Sequence, residues 1–220
     1  MRYLWGSLLL LSLALAFAAE GPESVEPPVQ MLERVAGDML STLRRRKTEL
    51  RDNPAQLRRE VETTLVPHVD LELLSRFVLG RHWRTATPEQ RQRFSQGFKD
   101  MLIRFYASSM LEYGDYDVRF YPLRLEPEQR HAVVRSEFYR GRQTTAAVNY
   151  RVVLRDGQWK VYDVTIDNIS VVTNYRGSFD AILKREGMEA LLQKMEHWNQ
   201  SETRDRNTQQ QETPIGGNKR

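Results

Sequence analysis

Hydrophobic positions in the first part of the chain recur with the spacing of an α-helix. One stripe is formed by four side chains, Met31, Val35, Met39 and Leu43. This spacing predicts an amphipathic helix, which Asn53-Pro54 brings to an end. Two shorter helical patterns follow over residues 57–65 and 69–79, and Gly80 is a suitable C-terminal stop for the second.

A longer helix is predicted from residue 88 to about Tyr113. Thr87, Pro88 and Gln90 stand at the N-cap, N1 and N3 positions, which is a strong start signal, and Gly114 follows the last turn. The apolar face is wider than a coiled-coil seam and comprises Phe94, Phe98, Met101, Leu102, Phe105, Tyr106 and Met110.

The hydrophobic period changes to two after Gly114. Alternating apolar and polar residues predict strands over 116–121, 132–139, 144–154 and 159–166. Asp156-Gly157 marks a hairpin turn, and the short connections favour an antiparallel meander. Helical spacing then returns over residues 173–198, where Gly187 is expected to divide the helix.

A chain that has helices first, then strands and then a helix is typical of the α+β class and not of alternating βα units. We expect the N-terminal helices and the long helix to pack on a curved antiparallel sheet of about four strands, with a C-terminal helix beside them. In cone-like folds of this order the sheet wraps around a long helix and leaves an apolar cavity.

The first residues are typical of a secretory signal peptide. One cation, Arg2, precedes an uncharged run of about 14 residues, Leu4–Phe17, and Ala16-Phe17-Ala18 is a small-x-small cleavage pattern. The run is shorter than the roughly 20 residues that span a bilayer, although a retained membrane anchor is the alternative. We predict cleavage after Ala18 or Ala19 and an exported, soluble mature protein.

The predicted organisation is a single domain between polar ends. Residues 1–18 are the signal peptide, 19–28 a flexible leader rich in Glu and Pro, 29–198 the folded domain, and 199–220 a polar tail. The tail has almost no apolar side chains, and such a composition is typical of disorder.

Composition excludes several classes of chemistry. The chain has no cysteine, so neither thiol catalysis nor a thiolate metal site is available. Its four histidines lack the i, i+4 spacing of a zinc helix, and no Gly-rich phosphate loop occurs; we therefore predict no metal and no cofactor. The net charge of +4 falls to +3 without residues 1–18, because only Arg2 is lost, and this is too small to indicate nucleic-acid binding or a headgroup preference.

A basic run and an isolated acid each leave two interpretations open. Arg44–Lys47 and Arg51 are either a phosphate or lipid-headgroup contact, or a solvated helix end whose cations suit the helix dipole; the second is preferred. Asp163 interrupts an apolar strand. It is either a general base in a cavity, or an acid at a bulge or paired with Arg135 or Arg151, which is the preferred interpretation.

Six short stretches carry a family resemblance. They are Ser75–Arg84, Ala86–Arg91, Tyr106–Ser109, Trp159–Val164, Val172–Phe179 and Arg185–Leu191. In this order and spacing they resemble the MlaC-type periplasmic phospholipid-binding proteins, also called toluene-tolerance proteins. The resemblance covers about residues 30–198, which is nearly the whole predicted domain.

The resemblance implies a non-enzymatic carrier that shuttles phospholipid across the periplasm of Gram-negative bacteria and maintains outer-membrane lipid asymmetry. The implied partners are a diacyl phospholipid, an outer-membrane lipoprotein complex and an inner-membrane ABC transporter with a lipid-binding hexamer. The implied fold is α+β, with acyl chains in the cavity and the headgroup near its mouth. No catalytic or metal residue is implied.

A soluble carrier must hide two acyl chains from water. At about 0.8 kcal/mol per CH₂, roughly 30 methylenes cost on the order of 20 kcal/mol to expose, so a pocket of about 1,000 Å³ is needed. We expect its lining to come from the long helix and the inner sheet face: Phe98, Met101, Leu102, Phe105, Tyr106, Val148, Tyr150, Val152, Val164 and Ile166, with Ile169, Val171 and Tyr175 near the mouth.

Two other function classes fit the same residues. Cone-like α+β folds also host small hydrolases and isomerases, in which Asp163 with Tyr150 or Tyr162 would form the catalytic set; pH-dependent turnover is the observation that would favour this class. A purely structural adaptor would bind partner proteins through a groove and carry no lipid.

Overall fold

The structure, a computed structural model, describes residues 25–200. Within this range it contains α-helices, one 3-10 helix (Val66–His68) and five β-strands. In chain order these are α1 (Pro28–Arg45), α2 (Lys47–Asp52), α3 (Pro54–Leu65), α4 (Leu71–Leu79), α5 (His82–Thr85), α6 (Pro88–Tyr113), β1 (Asp117–Phe120), β2 (His131–Arg140), β3 (Gln143–Arg155), β4 (Gln158–Ile166), β5 (Ile169–Ser170) and α7 (Val171–Gln200). The predicted signal peptide, most of the leader and nearly all of the tail lie outside the described residues.

Helix ends form where local capping chemistry is present. Thr87 and Gln90 make the reciprocal capping box of α6, the Asn53 side chain accepts a hydrogen bond from Gln56 N at 3.1 Å to cap α3, and Gly80 ends α4 with φ +54°. Gly187, at φ +83°, divides α7 into two helical segments. These boundaries confirm the predictions made at the four positions.

The first predicted helix is interrupted earlier than expected. Arg46 leaves helical geometry, with φ −113° and ψ 21°, and separates α1 from the short α2. The change of direction places Leu50 of α2 fully inside a cluster with Leu43 and Leu57. The break thus accompanies the burial of an apolar side chain against another helix, a contact that the spacing along one helix cannot reveal.

The sheet is an antiparallel meander in the order β1-β2-β3-β4-β5. Asp156 and Gly157, with φ of +51° and +74°, form the β3–β4 turn, as a two-residue hairpin of this type requires. A second tight turn at Asp167-Asn168 returns the chain into the two-residue β5. The α+β fold class is confirmed, with five strands where about four were expected.

The two faces of the sheet differ in polarity. Val134 pairs with Tyr150, which pairs with Val164, and these side chains lie on the inner, apolar face. One residue along, Val133 and Arg151 lie on the outer, exposed face, because side chains alternate along a strand. A bulge beside Arg151 leaves Tyr162 as the extra residue of β4.

Apolar side chains form three separate clusters. The helical cluster joins α4, α6 and α7 around Phe94, Phe98 and Phe179. The sheet cluster joins the N-terminal half of α1 to part of the inner sheet face. The third cluster joins α1, α2, α3 and α6 around Leu43 and Leu57.

Helix α6 therefore packs mainly on other helices. Among the residues described, no strand residue shares a cluster with α6; the expectation was a sheet that wraps around this helix and leaves a cavity between them. None of the helices within residues 25–200 is apolar over a length sufficient to cross a membrane.

Candidate functional site

Twelve of the thirteen predicted lining residues fall into three groups by burial, and the thirteenth, Val148, is buried outside the three clusters. Phe98, Met101 and Tyr175 are fully buried in the helical cluster, and Val152 is fully buried in the sheet cluster against α1. Phe98 and Tyr175 meet edge to face, with ring centroids 5.0 Å apart. These four side chains form packed core in this structure, and lipid contact by them stays a prediction.

A second group lines the surfaces of these clusters. Leu102, Phe105 and Val171 are partly buried around the helical cluster, and Tyr150 and Val164 are partly buried around the sheet cluster. Each keeps some accessible surface while it packs on one side, as a cavity wall does.

The third group is exposed. Tyr106 is 38% exposed, Ile166 42% and Ile169 64%. Ile166 and Ile169 flank the tight turn between β4 and β5, so two large aliphatic side chains stand at the tip of one hairpin. Ile169 was predicted near the mouth of the cavity and Ile166 on its lining. Of the other two residues predicted near the mouth, Val171 is partly buried and Tyr175 is fully buried.

The C-terminal half of α6 makes two aromatic contacts, one with α7 and one with the sheet. Tyr106 lies beside Tyr175 of α7, with hydroxyl oxygens 3.5 Å apart, and Tyr113 meets Phe138 of β2 edge to face at 5.9 Å. Tyr113 and Phe138 were not among the predicted residues. Tyr113 lies seven residues after Tyr106, on the same side of the helix, and this spacing is the signal that identifies it.

The inner sheet face below this segment is not covered by a cluster. Phe138, Ala146, Val148 and Ile166 belong to none of the three clusters formed by the described residues, although Ala146 and Val148 are buried. The part of the inner face beside α1 packs in the sheet cluster, whereas these four side chains lie outside every cluster. We call these four residues the uncovered wall, because no cluster covers them.

Two of the predicted lining tyrosines, Tyr150 and Tyr175, have raised pKa values. Burial raises the pKa of Tyr150 to about 12, against a smaller opposing effect of its hydrogen bond with Ser136. Burial also raises the pKa of Tyr175, and its contact with Tyr106 adds to the effect. Phenols whose pKa is raised remain uncharged at physiological pH, so neither tyrosine brings an ionised group to the proposed lining.

Asp163 has a structural position and does not face a cavity. It is buried beside the bulge, opposite Arg151 in register. Its carboxylate accepts a hydrogen bond from the Ser170 hydroxyl at 2.8 Å and another from Val172 N at 3.1 Å. Asp163 thereby joins β4 to the first turn of α7, as in the bulge interpretation. Arg151 does not pair with Asp163 but stacks over the Tyr162 ring, 5.4 Å from its centroid.

Two cations of the basic run at the end of α1 make specific contacts and are not simply solvated. Arg44 donates to Gly114 O at 3.0 Å and to Tyr116 O at 3.2 Å, and Lys47 pairs with Asp115. These bonds hold the connection between α6 and β1 against α1.

A cleft opens on each side of the α6–β1 connection. One, of about 500 Å³, lies between α1 and β1. The other, of about 740 Å³, lies between α2, α3 and the C-terminal half of α6. Tyr116 lines both, and Phe105 is the predicted lining residue that the larger cleft reaches.

The α+β fold exposes large aliphatic side chains at the tip of one hairpin and uses its buried acid for packing, features that favour a binding protein. The chain matches the family model of the MlaC protein over residues 33–197. That match spans most of the described domain, and the chain therefore belongs to the MlaC family.

Individual relatives agree with this assignment. The toluene tolerance protein Ttg2D of Pseudomonas putida is 28% identical over 165 residues, which are 74% of this chain and 76% of that protein. The intermembrane phospholipid transport system binding protein MlaC of Haemophilus influenzae is 22% identical over 195 residues, covering 87% of this chain and 91% of that one.

A solved structure is similar in both fold and sequence. It is the phospholipid-binding protein of Ralstonia solanacearum in complex with a phospholipid, with a TM-score of 0.70 and 32% identity. The match covers 77% of this chain and 94% of that one.

Proposed function

We propose that this protein is a phospholipid carrier of the periplasm, which holds the acyl chains in its apolar interior and is not an enzyme. The observation that carries the proposal is the Ralstonia structure, because a protein 32% identical to this chain over 94% of its own length binds a phospholipid. The family assignment and the name of the Haemophilus relative, a phospholipid transport system binding protein, support the same function.

The proposed seat of the acyl chains is the uncovered wall together with the facing surface of α6 and α7. Leu102, Phe105 and Tyr106 would supply one side of the seat, and Val148 and Val164 the other. Phe98, Met101, Tyr175 and Val152 would support these walls from behind, because they are fully buried in clusters. Ile166 and Ile169 would form the rim.

The physical argument for this seat is the apolar surface that stays exposed to water when no ligand is bound. Apolar area removed from water contributes about 25 cal/mol per Å², and the rim leaves Ile166 and Ile169 in water in the absence of a ligand. Acyl chains on the wall would cover such surface. Many weak contacts of this kind would allow release to a membrane as readily as uptake.

The proposal extends to location and partners. Export would follow from the predicted signal peptide, residues 1–18, with cleavage leaving the folded domain from about residue 29 to 198. The partners would be an outer-membrane lipoprotein complex and an inner-membrane ABC transporter with a lipid-binding hexamer. The phrase "intermembrane phospholipid transport system" in the name of the Haemophilus relative supports a position between two membranes.

Mass spectrometry of the organic extract tests the carrier function directly. The mature protein is purified from periplasm without detergent, and phospholipid is quantified per protein. We expect about one phospholipid per chain. A folded protein that is empty after purification, and that takes up no lipid from vesicles, would rule out the carrier function.

A matched pair of variants tests the seat. Ile166→Asp places a carboxylate on the rim of the inner face, and Val133→Asp places one on the outer face at a similar exposure, 42% against 46%. Since apolar chains cannot compensate a desolvated carboxylate, we expect Ile166→Asp to lower bound phospholipid at least about five-fold and Val133→Asp to leave it unchanged. Equal retention of lipid by the two variants would exclude this wall.

A further inference from the structure

The larger cleft combines an apolar floor with a charged rim. Leu50, Leu57 and Leu111 come from the third cluster and Phe105 from the edge of the helical cluster. The volume of about 740 Å³ lies in the usual range for small-molecule sites. Because Phe105 is also part of the proposed acyl seat, the cleft adjoins that seat.

The rim of this cleft has an excess of positive charge. Five cations, Lys47, Arg51, Arg58, Arg104 and Arg140, line it together with only two carboxylates, Glu112 and Asp115. Lys47 pairs with Asp115, Arg104 donates to Asn199 O at 2.9 Å, and the Arg140 guanidinium lies 6.0 Å from the Tyr116 ring centroid. Within residues 25–200, Arg51 and Arg58 have no carboxylate partner.

The smaller cleft provides an internal comparison. Its two cations, Arg44 and Arg45, are matched by Glu33 and Asp117, and Arg44 lies 3.5 Å from the Asp117 carboxylate. The positive excess is therefore a property of the larger cleft and not of both clefts beside the α6–β1 connection.

We propose that the larger cleft binds the phosphoryl headgroup of an anionic phospholipid and so gives the carrier a preference for anionic over zwitterionic lipids. Guanidinium groups pair with phosphate oxygens through two parallel hydrogen bonds, and the cationic rim repels the ammonium group that a zwitterionic headgroup carries beside its phosphate. The apolar floor next to the rim accepts the first part of the lipid chains. An anionic amphiphile satisfies both features of the cleft. This inference rests on the proposed carrier function and assigns its headgroup selectivity.

A charge-reversal pair tests the assignment. The mature protein is incubated with vesicles of equal phosphatidylglycerol and phosphatidylcholine content, re-isolated, and its extract analysed by mass spectrometry. For Arg51→Glu/Arg58→Glu we expect the ratio of bound phosphatidylglycerol to phosphatidylcholine to fall about ten-fold, equivalent to about 1.4 kcal/mol. Arg84→Glu/Arg124→Glu carries the same change of net charge at exposed positions away from the cleft and should keep the wild-type ratio.

The outcomes separate this inference from the function on which it rests. A wild-type ratio in Arg51→Glu/Arg58→Glu, or an equal fall in both double variants, overturns the headgroup assignment and leaves the carrier function standing. A wild-type protein that takes up neither lipid overturns the carrier function itself. Thermal unfolding of both double variants establishes that each is folded.

Titration calorimetry distinguishes a lipid headgroup from free phosphate. We expect saturable binding of dihexanoyl phosphatidylglycerol that weakens in Arg51→Glu/Arg58→Glu, and weaker binding of inorganic phosphate at equal ionic strength. Tighter binding of inorganic phosphate than of the short-chain lipid would show that the cleft is a free-phosphate site, and would overturn the assignment.

Discussion

Removal of the Asp163 carboxylate is expected to destabilise the junction between β4 and α7 without creating or abolishing catalysis. The carboxylate accepts from Val172 N at 3.1 Å and from the Ser170 hydroxyl at 2.8 Å. Ser170 in turn accepts from Thr173 N at 3.0 Å. The buried Asp163 carboxylate thus accepts one backbone N–H of the first turn of α7 directly. It also accepts from Ser170, whose hydroxyl oxygen accepts a second backbone N–H of the same turn.

The magnitude follows from the groups left without a partner. Asp163→Ala leaves the buried Val172 N–H unsatisfied, which costs about 1–3 kcal/mol. For a chain of this size each kcal/mol lowers Tm by about 2–4 °C, so a decrease of roughly 4–8 °C is expected for the middle of that range. Asp163→Asn retains an acceptor oxygen but loses the charge that favours a helix N-terminus, and should lower Tm by about half as much.

Thermal unfolding and lipid extraction are measured on the same preparations. We expect both variants to retain phospholipid while Tm falls in the order wild type, Asp163→Asn, Asp163→Ala. An Asp163→Ala protein with wild-type Tm would refute the structural role. A wild-type protein that hydrolyses or isomerises an added substrate, with the activity lost in Asp163→Asn, would instead support the enzyme class.

Further predictions concern α7 and its contacts. Gly187 lies at φ +83° with open space where a Cβ would stand, so Gly187→Ala should cost about 1–3 kcal/mol through backbone strain alone. Gly177→Ala, in an open position inside the helix, should stabilise by about 0.5–1 kcal/mol; chemical denaturation compares the two, and effects of the same sign would contradict the reasoning. Hydrogen bonds to Lys184 and then His82 lower the pKa of Asp180 to about 2 from its ordinary 3.8. Because a depressed carboxyl pKa stabilises the fold above its unfolded value, the stability difference between wild type and Asp180→Asn should be constant above about pH 4 and vanish towards pH 2. A difference independent of pH over this interval would disprove the pairing.

Local chemistry accounts for the accurate part of the sequence predictions. The capping box at Thr87 and Gln90, the turn at Asp156-Gly157 and the break at Gly187 each depend on a few neighbouring residues. Periodicity likewise identified the buried stripe of α1 from Met31 to Leu43. Such features are readable because the interactions that determine them are made within one turn or one hairpin.

Long-range packing accounts for what the sequence did not predict. The break at Arg46 between α1 and α2 goes with the burial of Leu50 against Leu57 of another helix. Tyr113 meets Phe138 only because the end of α6 is brought against β2 in the fold. Arg51 and Arg58 come to one cleft with Arg104 and Arg140 because three helices and a strand end meet there.

The sequence by itself determined the order and boundaries of most elements, the α+β class and, through a resemblance that the comparisons confirm, the family. Only the tertiary structure decided which apolar side chains become core and which remain open walls. Phe98 and Leu102 lie on the same helix with similar hydrophobicity, yet the first is fully buried and the second keeps accessible surface. The physical reason is that apolar patterning specifies only that a side chain leaves water, whereas the partner that covers it is chosen by contacts between distant parts of the chain.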